Sequence, residues 1–394
     1  MRERGGGGIG PLMQLTRFDI DSFLRDYWQQ KPLLIRGPWE AWRDPLEPDE
    51  LAGLACEAQI ESRLVIGGEG KWAVEHGPFA EARFGKLGET PWTLLVQAVD
   101  HHVHEVSALL APFRFIPNWR IDDVMVSYAT GGGGVGPHYD QYDVFLIQGA
   151  GQRRWRIGQP CDANSALLPH EDLRLLADFE GSDEYLLGPG DILYIPPGIA
   201  HDGVAVGDDC MTYSIGFRAP SRSELIDDFA DDLVADMADD DRYGDAGLKA
   251  QANPGEISAE ALAALHDMVL EKLSDRKAFA RWFGVYNSTA KYPEIDWKPE
   301  APVEVAQMRN LIANGEPLTR NPASRFSFIR QNDAVLLFVD GECFECAGAT
   351  TSFAEMLCAQ DTLEVPPELA GSNDATSLLA QLINQGSVAF EGED

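Results

Sequence analysis

The chain has 394 residues, with 64 acidic side chains against 31 lysines and arginines and a formal net charge of −33 at pH 7. That length admits two or three domains, and so acidic a surface repels nucleic-acid phosphates; it would favour basic partners, though by itself the charge reads first as a device for solubility. There is no apolar run of about 18 residues, so no helical membrane span is expected.

In chain order, residues 1–12 (MRERGGGGIGPL) have charge and glycine but no apolar core, and read as a flexible tail rather than a signal peptide. Met13 stands as an alternative start. FLRDYWQQKPLLIRG predicts a helix ending before Pro32 and a short strand, Leu33 to Ile35. Residues 48–120 read as helical segments mixed with loops. Between 121 and 220 the pattern changes: VMVSYA, YDVFLIQ, RRWRIG, YLLG, DILYIP and CMTYSIGFR alternate with Gly and Pro turns, which predicts an all-β sandwich or barrel.

From 221 the chain turns helical. Leu225, Phe229, Leu233, Val234 and Met237 follow helical spacing, and Ser221 to Asp245 hold ten acidic and two basic residues. A second helix is expected over 258–284, and the apolar stripe of the first is expected to pack on the barrel or, preferably, on another subunit. Residues 296–394 read as a small separate domain. It has helices near 301–313, 351–359 and 375–384, and a hairpin AVLLFVD–GECFECA turning at Asp340-Gly341. Such a winged-helix shape often binds DNA, but this segment is not basic, so nucleic acid is not expected as a partner.

The six cysteines, Cys56, Cys161, Cys210, Cys343, Cys346 and Cys358, are too sparse for a disulfide framework and point to the cytoplasm. Cys343 and Cys346 form one C-x-x-C pair with no evident set of four zinc ligands, and read as incidental.

The chemistry concentrates in two segments. In GPHYDQYDVFLIQ, His138 and Asp140 lie two apart, the spacing that puts two side chains on one face of a strand. Sixty-three residues after His138, GDILYIPPGIAHDG places His201 beyond a Pro-Pro-Gly turn. Two imidazoles and a carboxylate on one face of an octahedron form the facial triad of non-haem Fe(II) oxygenases, with the other positions open to co-substrate and O2. His101, His102 and His104 look helical and badly placed to share an ion. His76, His170 and His266 stand alone and read as surface or packing residues.

On the return strand RRWRIG, Arg153 alternates with Trp155 and Ile157 and so falls on the inward face. A buried guanidinium needs a partner, and its planar fork suits a carboxylate. A dicarboxylate co-substrate would fit; the alternatives are an ion pair with Asp143 or a register shift that exposes Arg153. Gly131 to Gly134 are open to reading as a mobile loop over the site.

GPHYDQYDVFLIQGAGQRRWRIG, LYIPPGIAHDG and YWQQKPLLIRG resemble the JmjC-type ribosomal oxygenases of bacteria, most closely the branch that hydroxylates an arginine of ribosomal protein sixteen of the large subunit. The resemblance implies an α+β chain. Its parts would be a double-stranded β-helix (cupin-like) catalytic domain over 13–220 with an N-terminal helical part, a helical dimerisation region over 221–292, and a winged-helix-like domain over 293–394. It implies a 2-oxoglutarate- and Fe(II)-dependent dioxygenase using O2. His138, Asp140 and His201 would be the metal ligands, Arg153 would meet the distal carboxylate of 2-oxoglutarate, and Ser127 would lie at a co-substrate position. The expected partners are a basic ribosomal protein and a second copy of the chain. The competing expectations are an oxygenase of the same fold acting on a histidine or lysine, and a non-catalytic metal-binding cupin regulator.

Overall fold

The computed structural model describes residues 14–68 and 71–390. The tail expected over 1–12 lies outside the described residues. The chain divides into two compact units, Met1–Ala219 and Pro220–Asp394.

In the first unit the elements are α1 (Ile20–Asp26), β1 (Leu33–Ile35), α2 (Pro48–Leu54), β2 (Ser62–Gly68), β3 (Lys71–His76), β4 (Trp92–Val96), α3 (His104–Ser107) and β5 (Ile121–Ala129). Then follow β6 (Asp143–Gln148), β7 (Gln152–Pro160), β8 (Asp183–Leu187), β9 (Ile192–Ile195), β10 (Ile199–Val206) and β11 (Cys210–Phe217). Eight strands form one sheet in the order β1-β9-β6-β11-β5-β4-β2-β3, and three form a second, β10-β7-β8. The pairings are antiparallel throughout.

Alternation along the strands sorts the large sheet into two faces. Val126, Ile147 and Tyr213 pack outward with Phe23, Trp39 and Leu51 from the N-terminal helices and loops. Val144, Leu146, Leu193 and Ile195 pack inward against Trp155, Ile157 and Leu187 of the small sheet. Strands buried on both faces read as continuous apolar runs, and DVFLIQ of β6 is buried at every position. Two facing antiparallel sheets closed in this way form the expected double-stranded β-helix.

Three strands lie where helices and loops were expected. β2, β3 and β4 extend the large sheet from SRLVIGG, KWAVEH and WTLLV. Their runs are short and broken by Gly, Pro and charge, and pairing to β5 rather than local propensity makes them strands. β10 was expected only as a turn leading to His201. Its sequence, IAHDGVAV, is poor in large apolar side chains, and it is held by pairing with β7.

The second unit holds α4 (Arg222–Ala235), α5 (Ala259–Leu273), α6 (Arg276–Ser288), α7 (Val305–Asn314), β12 (Pro317–Arg320), β13 (Phe326–Gln331), β14 (Ala334–Val339), β15 (Glu342–Ala347), α8 (Ala349–Ala359), β16 (Thr362–Glu364), α9 (Asn373–Asn384) and β17 (Val388–Phe390). The helix expected over 258–284 is two helices. Asp275 interrupts it as an N-cap, its carboxylate accepting from the amides of Lys277 at 2.9 Å and Ala278 at 3.1 Å. The hairpin at Asp340-Gly341 is present as β14–β15, with both turn residues at positive φ, 49° and 86°. Side chains from α7, α8, α9 and the two small sheets form one buried core around Ile312, Leu337, Leu357 and Leu379.

Candidate metal and co-substrate site

β10 is the element that assembles the site. His201 lies on it directly after a bulge between Ile199 and His201. His138 precedes β6 as an isolated bridge residue paired with His201. The two residues exchange backbone hydrogen bonds of 3.0 Å and 2.8 Å. Asp140 is not in a strand, as its spacing predicted. It sits in the short connection between that bridge and β6, tied down by Gly198 N–H donating to its carbonyl at 2.7 Å. The two-residue spacing still serves, because the bridge gives His138 local strand geometry.

One ligand atom from each of His138, Asp140 and His201 lies within 4.8 Å of the others, and among the described residues this is the group of His, Cys, Asp and Glu placed to hold an ion. His201 Nε2 is 3.6 Å from Asp140 Oδ2, and the two imidazole centroids are 4.3 Å apart. His138 Nδ1 is 2.8 Å from the Gly136 carbonyl and His201 Nδ1 is 3.0 Å from that of Ile199. Each Nδ1–H therefore donates outward and leaves Nε2 as the free lone pair, the second layer of bonds typical of metal-binding histidines. Burial, and then the nearby His138, pushes the His201 pKa down to about 4. At neutral pH that ring is an unprotonated donor. Two imidazoles and one carboxylate fit a divalent ion and leave much of an octahedral shell to non-protein ligands.

Arg153 lies on β7, opposite Ala205 of β10 and Leu187 of β8, and is 3% exposed. It shares its face with Trp155 and Ile157, and Ile157 pairs with His201, so the guanidinium and the ligand cluster occupy one interior face. Nη1 reaches the Gly203 carbonyl at 3.5 Å, and neither Nε nor Nη2 has a partner among the described residues. The ion pair with Asp143 is excluded: that carboxylate accepts from Tyr194 Oη at 2.6 Å, Gln29 Nε2 at 3.0 Å and Arg120 Nη2 at 3.0 Å. A buried cation with orphaned donors calls for an anion that the protein does not supply. Ser127 is buried on β5, across from Thr212 of β11, on the inward face of the large sheet and so on the sheet opposite Arg153 and His201.

The glycine run belongs to the wall of the site rather than to a loose lid. Gly132 N–H donates to the Ala205 carbonyl at 3.0 Å, and Ala205 N–H donates to that of Gly133 at 2.9 Å. A Cβ at Gly133 would meet the Trp92 carbonyl oxygen at 2.4 Å, and one at Gly134 the Gly203 oxygen at 2.5 Å. Glycine is needed for close backbone approach, a signal the composition alone does not separate from flexibility.

The remaining histidine and cysteine groups take other places. His101 is buried in a short 3₁₀ turn, 4.0 Å from Asp100. His76 pairs with Asp172 at 3.0 Å. Cys343 and Cys346, three apart on β15, point to opposite faces.

Residues 108–225 match the JmjC domain model and residues 271–389 the ROXA-like winged helix model. The ribosomal protein uL16 3-hydroxylase of Escherichia coli is 40% identical over 96% of this chain and 99% of its own length. Ribosomal oxygenase 2 of Bos taurus is 25% identical over 77% of this chain and 67% of its own. The structure of YcfD, a ribosomal oxygenase from E. coli, in complex with cobalt and 2-oxoglutarate superposes with a TM-score of 0.85 at 38% identity, covering 96% of this chain and 100% of that one. With the JmjC sheets, the ligand cluster and a relative matched end to end, this chain belongs to the JmjC-type ribosomal oxygenases.

Proposed function

We propose that the chain is a 2-oxoglutarate- and Fe(II)-dependent protein hydroxylase whose substrate is the large-subunit ribosomal protein uL16, hydroxylated at C3 of an arginine side chain. The observation that carries this reading is the buried, unpartnered guanidinium of Arg153 on the same interior face as His138, Asp140 and His201.

In this reading His138, Asp140 and His201 hold the metal, Arg153 holds the distal carboxylate of 2-oxoglutarate, and Ser127 contributes to the co-substrate pocket from the opposite sheet. The bound metal and co-substrate supply the oxidising chemistry, coupling decarboxylation of 2-oxoglutarate by O2 to hydroxylation. The protein's own part is placement. The Nδ1–H bonds to Gly136 and Ile199 aim the two imidazoles. The apolar wall of Val144, Leu146, Leu193 and Ile195 keeps water from the space between the sheets. The Asp140 side chain, 22% exposed against 3% for His201, marks the side from which a substrate arginine enters.

The net charge of −33 suits a basic ribosomal protein as partner. The reading takes residues 13–220 as the catalytic domain, 221–292 as a dimerisation region and 293–394 as a winged-helix-like domain, in a cytoplasmic homodimer. Support for the dimer comes from α5, where Leu262, Val269 and Leu273 are 62%, 57% and 41% exposed on one helical face. Among the described residues no helix is long and apolar enough to cross a membrane.

The test is mass spectrometry of ribosomal proteins from cells with and without the gene. A one-oxygen increment confined to an arginine of uL16 is expected in its presence. An unchanged uL16 with an increment on a histidine or lysine of another protein would replace the substrate but keep the chemistry.

A further inference from the structure

Along β7 the inward residues Arg153, Trp155 and Ile157 pair with Ala205, Gly203 and His201 of β10. Alternate residues of a strand share a face and are spaced about 6.6 Å along it. The row therefore runs from the His201 imidazole, past the Trp155 indole, to the Arg153 guanidinium. The indole is 6% exposed. Its ring lies 5.9 Å from the His201 ring and 5.8 Å from the Arg153 guanidinium carbon.

The benzo rim of this indole lies against β10. A Cβ at position 203 would stand 2.6 Å from both Cη2 and Cζ3, so only glycine admits the ring. The opposite edge carries Nε1–H, turned away from that backbone, and among the described residues it has no hydrogen-bond partner. Buried tryptophan N–H groups ordinarily find an acceptor, and an unmet one is costly. Two residues along the same face, Arg153 leaves Nε and Nη2 unmet as well. Neighbouring orphan donors on one interior face point to an acceptor-rich ligand between them.

We propose that Trp155 is a co-substrate-binding residue whose Nε1–H donates to a carboxylate of the dicarboxylate held by Arg153. The proposal rests on the 2-oxoglutarate reading of the site. A dicarboxylate reaching from the His138–Asp140–His201 cluster to Arg153 must pass the register position that Trp155 occupies. Packing alone would be met by a phenylalanine; the indole adds one N–H directed to an anion, a charge-assisted bond. Gly203 is then part of the pocket, since it sets how deep the indole sits.

The test uses the full-length protein labelled with ¹⁵N-tryptophan and loaded with Zn(II), which binds without turnover, titrated with 2-oxoglutarate. Trp155→Phe identifies the Trp155 signal among the nine indoles. That signal should move downfield on saturation. By calorimetry Trp155→Phe should bind 2-oxoglutarate about tenfold more weakly, the expected scale for one bond to a charged acceptor. An unmoved Trp155 signal at saturation, or unchanged affinity in the variant, overturns the assignment. If Trp155→Phe does not fold, a crystal of the zinc–2-oxoglutarate complex decides. An Nε1-to-carboxylate distance of about 3 Å supports the proposal and one beyond about 4 Å overturns it. Failure of the wild-type protein to bind 2-oxoglutarate overturns the reading of the whole site; saturable binding with an unmoved indole overturns the role of Trp155 alone.

Discussion

His138 and His201 are hydrogen-bonded to each other through both backbone amides, at 3.0 Å and 2.8 Å, although 63 residues separate them. The ligand cluster is therefore a product of strand pairing and does not depend on the ion to bring its halves together. His138→Ala and Asp140→Ala should abolish metal binding and turnover. Neither should cost more than about 1 kcal/mol of stability, since both side chains are half-buried and the paired backbone remains. Calorimetric titration with a divalent ion and urea denaturation of the metal-free proteins check the two halves of this expectation.

Arg153 presents the opposite balance. Its guanidinium is buried without a counter-charge, which costs stability in the absence of ligand. Arg153→Met should leave the ligand-free protein as stable as the parent or more stable by about 1–3 kcal/mol. The same change should weaken 2-oxoglutarate binding by about a hundredfold or more, because a bidentate charge-assisted contact is lost. Thermal melts without ligand and calorimetry with 2-oxoglutarate give the pair of readings. A variant with normal co-substrate affinity would remove Arg153 from the site.

Much of the site was legible in the sequence because its chemistry-bearing residues interrupt apolar strands. H-x-D before VFLIQ, a histidine after Pro-Pro-Gly, and an arginine in phase with Trp155 and Ile157 each stand out against their surroundings. What was not legible depends on pairing between distant segments. β10 has small side chains and two of its eight positions are His201 and Gly203, so its strand character comes from β7. The glycines at 133 and 134 read as flexible, whereas their close approach to the backbone of β4 and β10 explains them. The role of Trp155 hides in the same way: nothing local to RRWRIG tells that a glycine lies across from it.

Asp143 illustrates a buried charge whose partners are all remote in sequence. It is fully buried and accepts from Tyr194, Gln29 and Arg120, joining β6 to β9, to the segment before β1 and to the residue before β5. Burial and the Asp143 carboxylate hold the Tyr194 phenol well above its ordinary pKa, so it stays a donor. Asp143→Ala strands the Arg120 cation and should destabilise the protein by about 3–5 kcal/mol. Tyr194→Phe, which removes one bond to a charged acceptor, should cost about 1.5–3 kcal/mol. Denaturant midpoints should rank the two in that order.

The apolar face of α5 bears on assembly. Leu262, Val269 and Leu273 lie within one stripe of a fifteen-residue helix none of whose residues is buried. In a second copy the same stripe is available, and an isologous contact between the two would cover both. Leu262→Glu with Val269→Glu should then convert a dimer to a monomer by placing like charges across that contact. The fold of each unit should be kept, since neither side chain contributes to a core. Light scattering at matched concentrations, with circular dichroism as the control for folding, distinguishes dissociation from collapse. If the double variant keeps the parent's mass, the interface between copies lies elsewhere, and the exposed stripe of α5 is not what joins them.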